Sequence, residues 1–132
     1  ESEYLAEKMI QAVNLGFSIE DVLTLEDEEN LFEIIEIKQF SKTKNLERVR
    51  SRIIGTKGKT LKTIEKLTNC SIKLKDNKIG IIGYNEEVDN ALQAIKLLIQ
   101  GSKQSNVYSY LEKHHSQPIL DFGLKEKKKN IK

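Results

Sequence analysis

Tryptophan is absent from this 132-residue chain, and cysteine, proline and methionine occur once each. Aromatic residues make up only 6% of it, so any core must be built from isoleucine, leucine and valine. The single cysteine, Cys70, excludes an internal disulfide and fits a reducing compartment. Apolar runs are only a few residues long, which excludes a helical membrane span. The first residues, Glu1-Ser2-Glu3, are acidic and no apolar stretch of signal-peptide type follows them, so no secretory leader is expected. What remains is a charged chain, 38% hydrophobic and 32% Asp, Glu, Lys and Arg, of a size usual for one domain.

The net charge of +2 conceals a strong segregation. Residues 1–41 carry 11 acids and 2 bases. Residues 42–78 carry 12 bases and 3 acids. Residues 79–132 carry 8 bases and 6 acids. Lysines that merely keep a surface wet are normally mixed with acids. A block of one sign in the middle of a chain instead suits a polyanion such as nucleic acid.

At the centre of that basic block stands Arg52-Ile53-Ile54-Gly55-Thr56-Lys57-Gly58-Lys59-Thr60-Leu61. Leu46, Val49, Ile53 and Ile54 mark a helix before the glycines. Leu61, Ile64 and Leu67 mark another after them, ending near Thr68-Asn69. A tight glycine turn at a helix start exposes backbone N–H groups, and lysines beside it favour phosphate. Ser71 to Lys75 alternates strictly, Asp76-Asn77 forms a turn, and Lys78 to Ile82 returns as a second hairpin strand. Residues 31–38 form an earlier strand, which Phe40 extends. Residues 85–100 are the longest helix, closed by Gly101, and a last helix covers 106–115 with Val107, Tyr108 and Leu111 inward.

Before the first strand, residues 3–14 read as a helix with Leu5, Met9, Ala12 and Val13 on one stripe and Gly16 as its cap. Ser18 opens a short helix with Asp21 at the capping position and Ile19, Val22, Leu23 and Leu25 as its apolar residues. The first helix either ends a preceding domain or docks on the second. The acidic run Glu26 to Glu29 is a solvated linker or a partner surface.

Catalytic chemistry finds no footing. No paired carboxylates and no activated nucleophile appear. His114 and His115 are adjacent, so they do not share a helix face and do not make a metal site. A Walker loop needs four residues between its glycines, and Gly55 and Gly58 enclose two. A dinucleotide fingerprint needs a third glycine and a leading strand. Neither an enzyme, a metal nor a cofactor is expected.

The order strand, helix, glycine turn, helix, strand, strand, helix over residues 31–100 makes an α+β domain, a three-stranded sheet with helices on one face. It resembles the type I KH fold, whose Gly-x-x-Gly turn joins the first two helices and clamps about four single-stranded nucleotides. Further pieces are similar to the archaeal and eukaryotic KH-domain factor for small-ribosomal-subunit assembly, the partner-of-Nob (pre-rRNA dimethylation factor) family, and closer to its archaeal members. They are Gly16-Phe17 with the short helix, Arg52-Ile53-Ile54-Gly55 with Gly58-Lys59-Thr60, Ile79 to Gly83, and Gly101 with Val107-Tyr108.

The family usually carries two KH-like domains. The resemblance therefore divides this chain into a helical segment, 1–29, that ends a preceding KH-like domain, a KH domain at 30–101, a C-terminal helix at 102–117 and a flexible basic tail at 118–132. It implies binding of single-stranded RNA near the 3′ end of small-subunit ribosomal RNA. It also implies partners among the cognate endonuclease and other assembly or initiation proteins, with no membrane involved. The location implied is cytoplasmic in an archaeon and nucleolar or nuclear in a eukaryote.

In the RNA site Gly55, Thr56, Lys57, Gly58 and Lys59 hold phosphates. Arg48 and Arg52 line the entry, and Lys62 adds charge. Ile54, Leu61, Ile72 and Leu74 form an apolar floor or, equally, plain core. Base identity is read along residues 71–75, with Lys73 and Lys75, and at Asp76-Asn77. The competing class is a protein-interaction module whose KH fold has lost its RNA role. Charge separates the two. Neutralising about three to five phosphates gives a slope of log affinity against log salt of about −2 to −4, and titration of RNA binding at several salt concentrations measures it. A flat dependence would favour the protein-interaction class.

Overall fold

The computed structural model describes residues 2–114, and the tail expected at 118–132, with His115, lies outside them. Nine regular elements follow one another. They are α1 (Ser2–Leu15), α2 (Ile19–Leu23), β1 (Asn30–Glu36), α3 (Leu46–Ile54), α4 (Lys59–Thr68), β2 (Ser71–Lys75), β3 (Lys78–Tyr84), α5 (Asn85–Ile99) and α6 (Gln104–Lys113), with 3-10 turns at Thr24–Glu26, Ile37–Gln39 and Thr56–Gly58. The sheet order is β1-β3-β2, antiparallel throughout. It is the α+β fold that the resemblance implied. No helix among the described residues is long and apolar enough to cross a membrane.

The alternation of β3 divides the molecule into two cores. Ile79 and Ile81 face α3, α4 and α5 and join Ile53, Ile64, Ile72, Val88, Ile95, Leu98, Val107 and Leu111 in the larger one. Gly80 and Ile82 face the other way. There Ile82 meets Phe32, Ala12, Leu15, Phe17, Val22 and Leu25. Gly80 lies so close to these that a Cβ on it would stand 2.7 Å from Leu15 Cδ1 and 2.9 Å from Phe17 Cε2. The ring of Phe17 meets that of Phe32 edge-on, with centroids 5.8 Å apart.

The sheet is thus covered on both faces, by α3, α4 and α5 on one and by the additional N-terminal helices on the other. The first helix docks on α2 and also on the back of the sheet. Lys8 Nζ donates to Phe32 O at 3.1 Å and Lys75 Nζ to Asn14 O at 2.8 Å. Its inward stripe is Leu5, Met9, Ala12 and Leu15, and Val13 is 46% exposed. In α2, Val22 is buried while Ile19 and Leu23 are exposed. The acids Glu26 to Glu29 are all exposed.

Several local signals act as the sequence suggests. Ser18 Oγ accepts from Asp21 N–H at 3.1 Å. Asp76 and Asn77 both take left-handed φ values, 53° and 65°, the geometry that a two-residue hairpin turn requires. β1, however, stops at Glu36. Ile37 N–H donates to Asn77 O at 2.9 Å and the chain then coils through Ile37–Gln39, so Phe40 does not extend the strand. The last helix begins at Gln104 rather than 106.

Phe32 is the pivot of the second core, at 2% exposure. Phe32→Ala should cost about 3 kcal/mol or more and raise hydrogen exchange first in α1. Urea denaturation with exchange mass spectrometry measures both; exchange in α1 unchanged at reduced stability would show that this core does not hold the helix.

Candidate nucleic-acid interface

The basic block folds into a helix, a reversal and a second helix. Asn45 Oδ1 caps α3 by accepting from Arg48 N–H at 3.2 Å. At the far end Gly55 takes φ 78° and ψ 173°, a conformation essentially reserved for glycine. A Cβ there would stand 2.1 Å from Thr60 Oγ1 and 2.7 Å from the Thr60 nitrogen, so the start of α4 folds against residue 55 only because it has no side chain. Lys57 (φ 56°) and Gly58 (φ 75°) are left-handed.

Within the turn, Gly58 N–H donates to Gly55 O at 3.1 Å, and the Lys59 N–H donates to Thr56 O. Thr56, Lys57, Lys59 and Lys62 are exposed. A left-handed turn at a helix start, beside three ammonium groups, forms an anion cradle.

Other elements brace this turn. Gln104 Nε2, in the first turn of α6, donates to Thr60 Oγ1 at 3.2 Å. Arg52 Nη2 donates to Ser102 O in the α5–α6 link. The C-terminal helix therefore supports the reversal from behind.

Beside the turn, Ile54 is 38% exposed, and Leu61 and Leu74 are half-buried. Leu61 and Leu74 lean on the larger core with part of each side chain open to a slot between α4 and the outer edge of β2. Of the proposed floor, Ile72 must be removed: at 2% exposure it is core. Lys73 and Lys75 also leave the slot. They alternate with Ile72 and Leu74, so they stand on the sheet face that α1 covers, where Lys75 holds Asn14 O. Asn77 is occupied too, since Arg50 donates to its Oδ1.

Arg48 and Arg52 line a cleft of about 250 Å³ with Lys42, Thr43, Val49 and Ile99 to Gly101, against the end of α5, rather than the slot. What sequence reasoning missed at the slot is Glu65. Its Oε2 accepts from Ile72 N–H at 2.8 Å. The signal available was its place one helical turn after Leu61, on the same face of α4.

No group of His, Cys, Asp and Glu among the described residues could hold a metal ion. His114 stacks on Tyr110 with ring centroids 4.2 Å apart. Burial pushes the Cys70 thiol up to about 11, and the charges of Glu87 and Glu65 act in the same direction, so it is a packing residue and not a nucleophile.

With this geometry, residues 31–116 match the family profile described as the eukaryotic type KH-domain (KH-domain type I), that of the second KH domain of PNO1. The chain belongs to the type I KH-domain family. Within that family it is similar to the KH domain-containing protein MJ0443 of Methanocaldococcus jannaschii, at 30% identity over 96% of this chain and 56% of the relative. It is 38% identical to the RNA-binding protein PNO1 of Oryzias latipes over 78% of this chain and 44% of the relative.

Among solved structures it resembles a chain of the a/eIF2alpha-aDim2p-rRNA complex from Pyrococcus horikoshii. The TM-score is 0.77 and the identity 35%, covering 83% of this chain and 60% of that one. The chain spans about half the length of the curated relatives it matches. The KH reading assigns the Gly55–Gly58 turn to the family's Gly-x-x-Gly position.

The two glycines of this KH turn differ in what a side chain would meet. Nothing stands nearer than 4.0 Å to a Cβ on Gly58. Gly58→Ala should cost about 1 kcal/mol, from its left-handed backbone alone. Gly55→Ala adds a clash with Thr60 and should cost about 2 kcal/mol more. Urea unfolding of the two variants measures the difference, and equal losses would contradict the close approach.

Proposed function

We propose that this chain binds single-stranded RNA through the Gly55–Gly58 turn and the slot beside it, as a non-catalytic factor acting on pre-ribosomal RNA. The observation that carries the reading is the left-handed Gly55–Gly58 turn at the start of α4, flanked by exposed Lys57, Lys59 and Lys62. Such a turn holds consecutive phosphates, while Ile54, Leu61 and Leu74 offer apolar surface to the attached bases. The names of the relatives, RNA-binding and pre-rRNA-processing proteins, and the rRNA in the Pyrococcus complex support the same reading.

The finer proposal is that the RNA is the 3′ region of small-subunit ribosomal RNA. A slot for about four nucleotides is too short to specify a site in a large RNA. Further specificity would come from a second domain or from protein partners, an endonuclease or an initiation factor among them. The acidic segment at residues 1–29, with Ile10, Ile19 and Leu23 exposed, offers them a surface.

Replacing Thr56 and Lys57 together by aspartate sets negative charge against phosphate. Aspartate tolerates the left-handed backbone at 57, so the fold should hold. Fluorescence anisotropy should show at least a tenfold loss of single-stranded RNA affinity with little change in Tm. Unchanged affinity would overturn the assignment of the turn. Tighter binding of the rRNA 3′ end than of a scrambled RNA of equal composition tests the finer proposal, and equal binding would reduce it to a generic RNA-binding domain.

A further inference from the structure

The cleft on the flank of α3 is lined by three cations and no acid. Lys42, from the loop before α3, and Arg48 and Arg52, one helical turn apart on it, enclose about 250 Å³ against the end of α5. Lys42 and Arg48 are exposed. The ion pair found among the described residues, Lys38 with Glu36, lies outside the cleft. Arg52 is half-buried, and its Nε is buried with no hydrogen-bond partner among the described residues. A buried donor without an acceptor is costly, and like charges four residues apart on a helix repel. An anion in the cleft would relieve both.

The end of α5 does not account for these cations. A helix C-terminus attracts positive charge, but this one is closed by its own chain. Gly101 N–H donates to Leu98 O at 3.1 Å and Ser102 N–H to Leu97 O at 2.9 Å. Arg52 alone adds a bond there, from Nη2 to Ser102 O. The volume is smaller than the roughly 300 Å³ or more of sites that enclose a whole small molecule. It suits a single phosphate, whose oxygens a guanidinium fork matches and to which a lysine adds a point charge.

The cleft also lies within reach of the glycine turn. Arg52 stands three residues before Gly55 and Arg48 seven, so the cleft runs back about 10 Å along α3. A stacked strand advances about 3.4 Å per nucleotide, so about three nucleotides beyond those at the turn bring a phosphate to Arg48. We infer that Lys42, Arg48 and Arg52 form a second phosphate site, which holds the RNA backbone beyond the nucleotides clamped at the turn. The inference rests on the RNA-binding reading above and extends its contact to the flank of α3.

The test measures fluorescence anisotropy of a ten-nucleotide and a four-nucleotide single-stranded RNA with wild type and two double variants. The cleft variant is Lys42→Gln with Arg48→Gln; Arg52 is kept because it braces Ser102. The control is Lys78→Gln with Lys113→Gln, which removes the same charge outside the cleft and the turn. All four substituted residues are exposed, so Tm should hold. The cleft variant should bind the ten-mer about fivefold more weakly, with a slope of log affinity against log salt shallower by about 1.4, as two lost contacts to a single strand require. Its four-mer affinity, and the ten-mer affinity of the control, should change by less than about twofold. Equal ten-mer losses in both variants would show charge acting without a place and overturn the site, as would a four-mer loss as large as the ten-mer's. Undiminished ten-mer binding by the cleft variant would leave the cations to an acidic protein partner and overturn the inference while RNA binding stands. Failure of wild type to bind either RNA would overturn the RNA-binding reading, and this inference with it.

Discussion

The missing side chain at residue 55 is the constraint on which the rest of this molecule turns. The chain leaves α3 and enters α4 with Thr60 packed where a Cβ would be. That contact sets the angle between the two helices, and so the width of the slot beside them. Thr60 is itself buried and receives a hydrogen bond from Gln104. The reversal is therefore tied to the C-terminal helix, and a phosphate-sized cradle at the surface inherits its shape from contacts one layer deeper.

β3 supplies the second organising relation. As the central strand it has no free edge, and its isoleucines point alternately into two cores. One core holds the helices that carry the turn. The other holds α1 and α2, so an acidic segment is locked to the back of a basic one. The charge segregation of the sequence becomes a segregation of faces. Lys75, although counted in the basic block, is drawn to the acidic segment's side by strand alternation and fastens α1.

Much of this was legible in advance, and the reason is local chemistry. Ser18 as a cap, Asp76-Asn77 as a turn, and Gly55 and Gly58 as a reversal act within a few residues of themselves. Periodicity likewise marks which residues are buried. It does not say against what, so the docking of α1 on the sheet was open, and Val13 was exchanged with Leu15 on its inward stripe. Charge counting has a similar blindness, because it adds over every face of an element. Arg48 and Arg52 entered the site on their charge and proximity, but the helix turns them to the end of α5. Glu65 was overlooked because an acid within a basic block reads as dilution. Only its bond to Ile72 reveals a defined place.

That bond has a further consequence, for self-association. A strand whose outer edge must stay open to a ligand is equally open to the strand of another molecule, and unprotected edges seed aggregation. β2 is only five residues long, Lys73 and Lys75 are exposed on it, and a glutamate from α4 occupies one of its outward N–H groups. A second β2 laid alongside would have to displace that carboxylate and bring like charges together. A single-stranded polyanion faces the same carboxylate but meets the exposed Lys57, Lys59 and Lys62 beside the turn as attraction. The slot can stay accessible to one kind of polymer while resisting copies of the chain itself.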